Sequence, residues 1–357
     1  MAVVVCALIM GSSSDTNCAS YVEYDQCTNL DRIVCEYDQD NDLDVDAIDH
    51  MADAEGIIVL TDGAQCSTDR VKVDRLVGYA QCSVPIISLD GPRLFNDNSQ
   101  FGSVAYSDDS DLCGYYRVSP KTTYCYSVSS DNHAEAMQKI EEWATHIKSI
   151  AATESSGTDN LFEVICEKDM KCGSDGWFSI STKYALRSHD VTSYDYWTVE
   201  YYMESVPSSG VQTSSMKIYD DFSCTYMDAQ LLRHGPNTTT GTESSSVDVS
   251  IGIDGPSVSV GIQYSIPDVT VINNSSLATD VFSITHKFSK NTLAACNTYF
   301  CKPAAIIKCE FGDSDTAYSP IDEYSIIFDH KELVFNKYVW KSTTYDLRML
   351  PILYPDR

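Results

Sequence analysis

The residues best suited to chemistry come early in the chain. After the apolar run AVVVCALIM (Ala2–Met10) the sequence turns through Gly11, Ser12, Ser13, Ser14 and Asp15. A turn that ends a first strand and feeds a helix aims backbone N–H groups and Ser hydroxyls at one point, where an anion can bind. Further on, Asp62 follows the run GIIVL, and Asp74 lies within DRVKVDRLVGYAQ (Asp69–Gln81). Gly11–Asp15 are therefore candidate anion-binding residues, with Asp62 the carboxylate of the loop after GIIVL.

Other motifs are weaker. LLRHG (Leu231–Gly235) echoes the Arg-His pair of histidine phosphatases, yet it sits in a β-rich region rather than after a first strand, which favours a plain loop. The close cysteine pairs are Cys166/Cys172 and Cys296/Cys301; neither is a CxxC and no His stands at ligand spacing, so no metal site is expected. No G-x-S-x-G elbow anchors a Ser/His/Asp triad. His50 and His133 read as ordinary polar positions in or beside helices. N-x-S/T matches occur at Asn237, Asn273 and Asn274 and matter only for an exported chain.

The elements that would hold these residues alternate over the first 150 positions. Apolar runs at Val3–Met10, Arg32–Tyr37, Gly56–Thr61 and Val84–Leu89 read as strands, with a further one near Leu112–Val118. Helical pattern covers Asn17–Leu30, Val45–Ala54, Asp69–Gln81 and His133–Ile150, the last with Asp131 and Asn132 as cap candidates. Continuous apolar strands between helices predict an open, doubly wound parallel sheet of flavodoxin type over residues 1–150. A small, hydroxyl-rich linker follows at 151–160. Residues 161–357 show period-two alternation and predict an antiparallel, sandwich-like β domain.

Composition narrows the partners. Of 357 residues, 52 are acidic and 24 basic, a formal charge of -28. Such a field repels phosphate backbones, which excludes nucleic acid as a partner and disfavours anionic membranes. No Lys or Arg precedes Arg32, so the first apolar run reads as a strand rather than an export signal, and a cytoplasmic location is expected, with the cell surface or secretion as the alternative.

Two resemblances bear on the first unit. MGSSSD resembles the phosphate-binding start of the purine-biosynthesis carboxyaminoimidazole mutases, but the Ser-Ala-His-Arg and His-bearing loops of that family have no counterpart in EYDQDND (Glu36–Asp42) or TDGAQCSTD. ADAEGIIVLTDGAQCSTDRVKVDRLVGYAQCSVPIISLDG (Ala52–Gly91) is similar to the central part of TIR-like domains. That resemblance implies a signalling or defence protein that binds, and could cleave, an NAD-like nucleotide as substrate, an NAD glycohydrolase-like activity. The resemblance makes Gly11–Asp15 and Asp62 the nucleotide-binding residues and Asp74 the catalytic one, its carboxylate steadying an oxocarbenium-like ribose centre. Arg75 falls at about the position of the family's glutamate, with Asp74 beside it, so the domain could equally be catalytically silent.

The β domain would sense, self-associate or engage a protein partner. Its clearest signal is VDVSIGIDGPSVSVGIQYSI, in which Val247, Val249, Ile251 and Ile253 alternate with Asp248, Ser250 and Gly252, and Val258, Val260, Ile262 and Tyr264 resume the pattern. A hairpin with one apolar and one small polar face follows. It suits a sandwich hairpin, or a membrane-inserting hairpin over 247–266. The alternatives to the nucleotide reading are thus a non-enzymatic surface, adhesion or self-assembling protein, and a β-hairpin pore former.

Overall fold

A computed structural model describes residues 4–8, 56–60, 70–81, 84–89 and most of 91–151, then 162–190, 194–224, 228–238, 245–252, 255–262, 268–310 and 318–353. The chain divides into two compact units, Met1–Thr158 and Asp159–Arg357. It is mostly β, with few helices among the described residues.

The N-terminal unit runs β1 (Val4–Leu8), β2 (Gly56–Leu60), α1 (Arg70–Gln81), β3 (Ile86–Ser88), α2 (Arg93–Asn96), β4 (Val104–Ala105), β5 (Leu112–Ser119), β6 (Thr122–Ser129) and α3 (His133–Ala151). β1, β2 and β3 pair in parallel. β3 then pairs antiparallel with β5, and β5 antiparallel with β6. The expected doubly wound parallel sheet is thus corrected to a mixed sheet. The physical reason is that a continuous apolar run reports burial on both faces and says nothing of strand direction. In addition, Pro120 and Lys121 close a hairpin where the sequence reading places a single strand. The expected strand at 32–37 and the helices at 17–30 and 45–54 lie outside the described residues.

Packing in this unit centres on α3. Asn132 caps it, its side-chain oxygen accepting from Ala134 N at 3.1 Å. Ala136, Met137, Ile140, Trp143, Ala144 and Ile147 form its buried stripe, and the helix packs on β5 and β6. Trp143 stacks on Tyr126 with ring centroids 5.3 Å apart. The indole fits because position 114 has no side chain: a Cβ on Gly114 would lie 2.3 Å from Trp143 Cζ3.

The C-terminal unit holds β7 (Phe162–Lys171), β8 (Gly176–Asp190), β9 (Tyr194–Pro207), β10 (Val211–Asp221), β11 (Ala229–Gly235), β12 (Ser245–Gly252), β13 (Gly255–Ile262), β14 (Val269–Asn273), β15 (Val281–Phe288), α4 (Leu293–Cys296), β16 (Tyr299–Cys301), β17 (Ala304–Glu310), β18 (Asp322–Val334) and β19 (Lys337–Pro351). One antiparallel layer has the order β7-β8-β9-β17-β11, with β16 also on β9. The other has the order β14-β15-β10-β18-β19. Their inner faces meet through aromatic contacts. Tyr201 of β9 stacks on Phe282 of β15 at 4.8 Å and meets Tyr324 of β18 edge-on at 6.4 Å. Trp197, Tyr184 and Phe178 on one layer, with Met216, Ile218 and Phe328 on the other, are fully buried.

Replacing Gly114 with Ala should force the Trp143 ring off its seat. The expected cost is about 1–3 kcal/mol of stability in the N-terminal unit, read as a lower urea midpoint by tryptophan fluorescence. An unchanged midpoint would contradict this packing.

Candidate functional site: an amphipathic hairpin and a buried carboxyl pair

The residues expected to bind a nucleotide do not assemble into a described site. Gly11, Ser12, Ser13, Ser14, Asp15 and Asp62, as well as His50, lie outside the described residues. Asp74 is exposed on α1, whose buried side is Val73, Leu76, Tyr79 and Ala80. LLRHG is not a loop: it forms most of β11, laddered to β17 with a register shift between Leu231 and Arg233. His234 Nδ1 is 2.9 Å from Asn273 Nδ2, and that amide also donates to Pro236 O at 2.7 Å. Asn273 is thereby engaged inside the protein rather than offered to a glycan.

Neither close cysteine pair forms a disulfide. Cys166, Cys172 and Cys301 are buried and Cys296 is exposed. Burial first, then the nearby Asp175, pushes the Cys172 thiol up to about 12, which leaves it unreactive. A polar pocket of about 260 Å³ is lined by Tyr194, Ser223, Asp228, Gln230, Asp280 and Lys308. Lys308 Nζ caps the Tyr194 ring at 3.3 Å from its centroid, so that aromatic face is occupied from within.

Two arrangements in the C-terminal unit stand apart from ordinary packing. The first is β12–β13. Its register pairs Val247 with Val260, Val249 with Val258 and Ile251 with Pro256, and on the alternate positions Asp248 with Ser259, Ser250 with Ser257 and Gly252 with Gly255. Since strand positions alternate between faces, one face carries Val, Ile and Pro with Ser245, and the other only Ser, Gly and Asp248. The hairpin forms a two-stranded sheet of its own and lies against β9, β11 and β17 without joining their ladder. It is therefore not a stave of either sandwich layer. An isolated two-stranded ribbon is marginal in water, so the sheet beside it supplies its support.

The second is a pair of carboxyls. Asp220 on β10 and Asp322 on β18 are directly opposed across the ladder and fully buried. Tyr184 OH donates to Asp322 Oδ1 at 2.6 Å and lies 3.1 Å from Asp220 Oδ2, while Tyr201 OH donates to Asp220 Oδ2 at 2.8 Å. The two carboxyls face each other across one rung of the ladder. Asp220 Oδ1 and Asp322 Oδ2 are buried with no hydrogen-bond partner, and a proton shared between the carboxyls would satisfy them. Burial, then the neighbouring Asp322 charge, holds Asp220 well above the usual carboxylate range, and burial raises Asp322 as well. No sequence motif marks either residue; each is one acid among 52.

No known family matches the sequence, and neither does any curated protein. Among solved structures the chain is similar, over 54% of its length, to one titled "Pore forming protein", at 11% identity, TM-score 0.36 and 92% of that chain. It is similar over the same share to Clostridium perfringens delta-toxin (9% identity, TM-score 0.36, 90% of that chain). It is also similar to the Clostridium perfringens NetB toxin in its membrane-inserted form (9% identity, TM-score 0.30, 54% of this chain and 96% of that one). These values describe a likeness of coarse β architecture.

The TIR-like and mutase resemblances are overturned. Both require a doubly wound parallel sheet, and β5 and β6 run antiparallel. The signalling role with an NAD-like substrate falls with that reading, and the cytoplasmic location expected from the lack of Lys or Arg before Arg32 is withdrawn with it.

The carboxyl pair predicts a pH dependence. Unfolded, both acids titrate near about 4; folded, their values are higher, so the native state holds more protons. Stability from this pair is full below the ordinary value and falls as pH climbs toward the raised one, by up to about 1.4 kcal/mol per pH unit for one proton. Asp322→Asn removes one titrating carboxyl and offers Asp220 an amide donor. Urea midpoints from about pH 4 to 9 should therefore fall less steeply in the variant than in the parent. Parallel curves would rule out the shared proton.

Proposed function

We propose that this protein is a secreted pore former that lines its pore with β12–β13. One observation carries the reading: the hairpin register sorts Val and Ile onto one face and Ser, Gly and a single Asp onto the other. A transmembrane barrel strand needs this division, apolar toward lipid and polar toward the lumen. Each strand has eight residues, against the ~9–11 of a tilted span. In the sequence the alternation continues through Tyr264 and Ile266.

One hairpin cannot cross a bilayer alone, because the backbone groups on its two outer edges would be unpaired in hydrocarbon. Closing even a small barrel of about eight strands takes roughly four copies. Self-association at the target membrane is therefore part of the proposal. The hairpin's separation from both sheets supports it further, since it can leave β9, β11 and β17 without breaking a ladder.

Dye release from vesicles tests this directly. Val249→Asp with Val260→Asp places two carboxylates on the apolar face, each costing up to about 2–4 kcal/mol at mid-bilayer. Release should be abolished while the circular dichroism of the soluble protein stays unchanged; release at the parental rate would refute the assignment. In planar bilayers a ring of Asp248 favours cations, and Asp248→Asn should move the reversal potential in a salt gradient toward zero.

A further inference from the structure

The far end of the β18–β19 ribbon has a separate use. Six of the exposed large apolar side chains among the described residues fall within Leu333–Trp340, with Phe335 98% and Tyr338 73% exposed. The ribbon turns through Phe335 and Asn336, both at positive φ (46° and 63°). That backbone suits a two-residue hairpin turn and usually takes Asn or Gly; a bulky Phe there is an outlier, held out at the tip.

The cluster occupies both faces of the ribbon. The register Leu333↔Tyr338 and Lys331↔Trp340 defines one face, and Glu332↔Val339 and Val334↔Lys337 the other. Around it stand Lys331, Lys337 and Lys341 against one acid, Glu332, which pairs with Lys341 at 3.3 Å. Lys331 and Lys290 reach over the Trp340 ring at 5.0 and 5.9 Å. A local basic excess in a chain of charge -28 is out of keeping with the rest of the surface.

A partner protein with a flat surface would cover one side of this finger and leave the other wet. The tip is also far smaller than the roughly 20–30 residues a side of a stable protein interface. A bilayer surface surrounds an inserted finger on all sides. Aromatic rings sit at headgroup level, and lysine stems extend along the apolar part while their ammonium groups reach phosphates. We infer that the Leu333–Trp340 tip docks the protein onto a lipid bilayer bearing anionic headgroups. This inference does not rest on the pore assignment.

Flotation of the full chain with phosphatidylcholine vesicles, with and without phosphatidylglycerol, tests it. The parent should float, more strongly with the anionic lipid and less at high salt. Phe335→Ser with Tyr338→Ser should lower the bound fraction about tenfold or more, with an unchanged melting temperature, since both side chains are exposed. Lys337→Glu should weaken binding only to anionic vesicles. Parental protein that stays with no vesicle, or a double Ser variant that floats like the parent, overturns the inference. A double Ser variant that changes oligomeric size without lipid, with flotation unaltered, assigns the tip to a second copy of the chain instead. Val249→Asp with Val260→Asp should still float, so loss of dye release with flotation intact concerns the pore and not the tip.

Discussion

Two carboxyls face each other at one rung of the β10–β18 ladder, and the C-terminal unit is built around keeping them there. Asp220 and Asp322 are sealed from water between the layers. Like charges at that range cannot both be ionised in a medium of low polarity. Tyr184 and Tyr201 approach from the opposite layer with their hydroxyl hydrogens toward the acids. The polar rung thus fixes how β8 and β9 sit over β10 and β18, and the aromatic stack of Tyr201 on Phe282 and Tyr324 repeats the alignment in apolar form. An apolar interface tolerates sliding by small repacking, whereas a rung of directional hydrogen bonds does not.

Against that fixed frame, the elements assigned to membrane contact are those the frame holds least. β12–β13 shares no ladder with either layer, and the end of β18–β19 projects with exposed apolar side chains. β18 carries Asp322 at its beginning and Val334 at its end. One strand therefore links the sealed carboxyl pair to the exposed apolar turn. Rigid cores with loosely attached working parts follow from local stability: a segment that must move cannot also be cooperative with the core.

The sequence was legible where a single period or cap decides the outcome. HAEAMQKIEEWATHIKSI shows the stripe that α3 buries, and Asn132 before it does cap the helix. VDVSIGIDGPSVSVGI shows two strands because alternation has only one structural reading. That alternation cannot separate a sandwich stave from a free hairpin, because both need one apolar face; the separation comes from the missing ladder. The N-terminal sheet misled for a related reason. GIIVL and VPIIS read as strands and both contain one, but the antiparallel return of β5 and β6 depends on a tight Pro120-Lys121 connection with no Asn-Gly or Asp-Gly mark. Asp220 and Asp322 were illegible because DD and IDE look alike whether solvated or sealed, and the Phe335-Asn336 turn lacks the glycine that usually marks its type.

The shared proton also makes opening of the β10–β18 ladder a chemical event with a stoichiometry. While the pH lies between the ordinary carboxylate value and the raised one, the closed unit retains hydrogen that the open chain gives up to solvent. The heat of any transition that parts Asp220 from Asp322 then contains the ionisation heat of whatever buffer receives that hydrogen. The same event would appear to have different enthalpies in phosphate and in an amine buffer. A rearrangement that leaves the rung closed, such as release of β12–β13 alone, would show no such difference, so calorimetry in two buffers can tell which parts of the molecule have come apart.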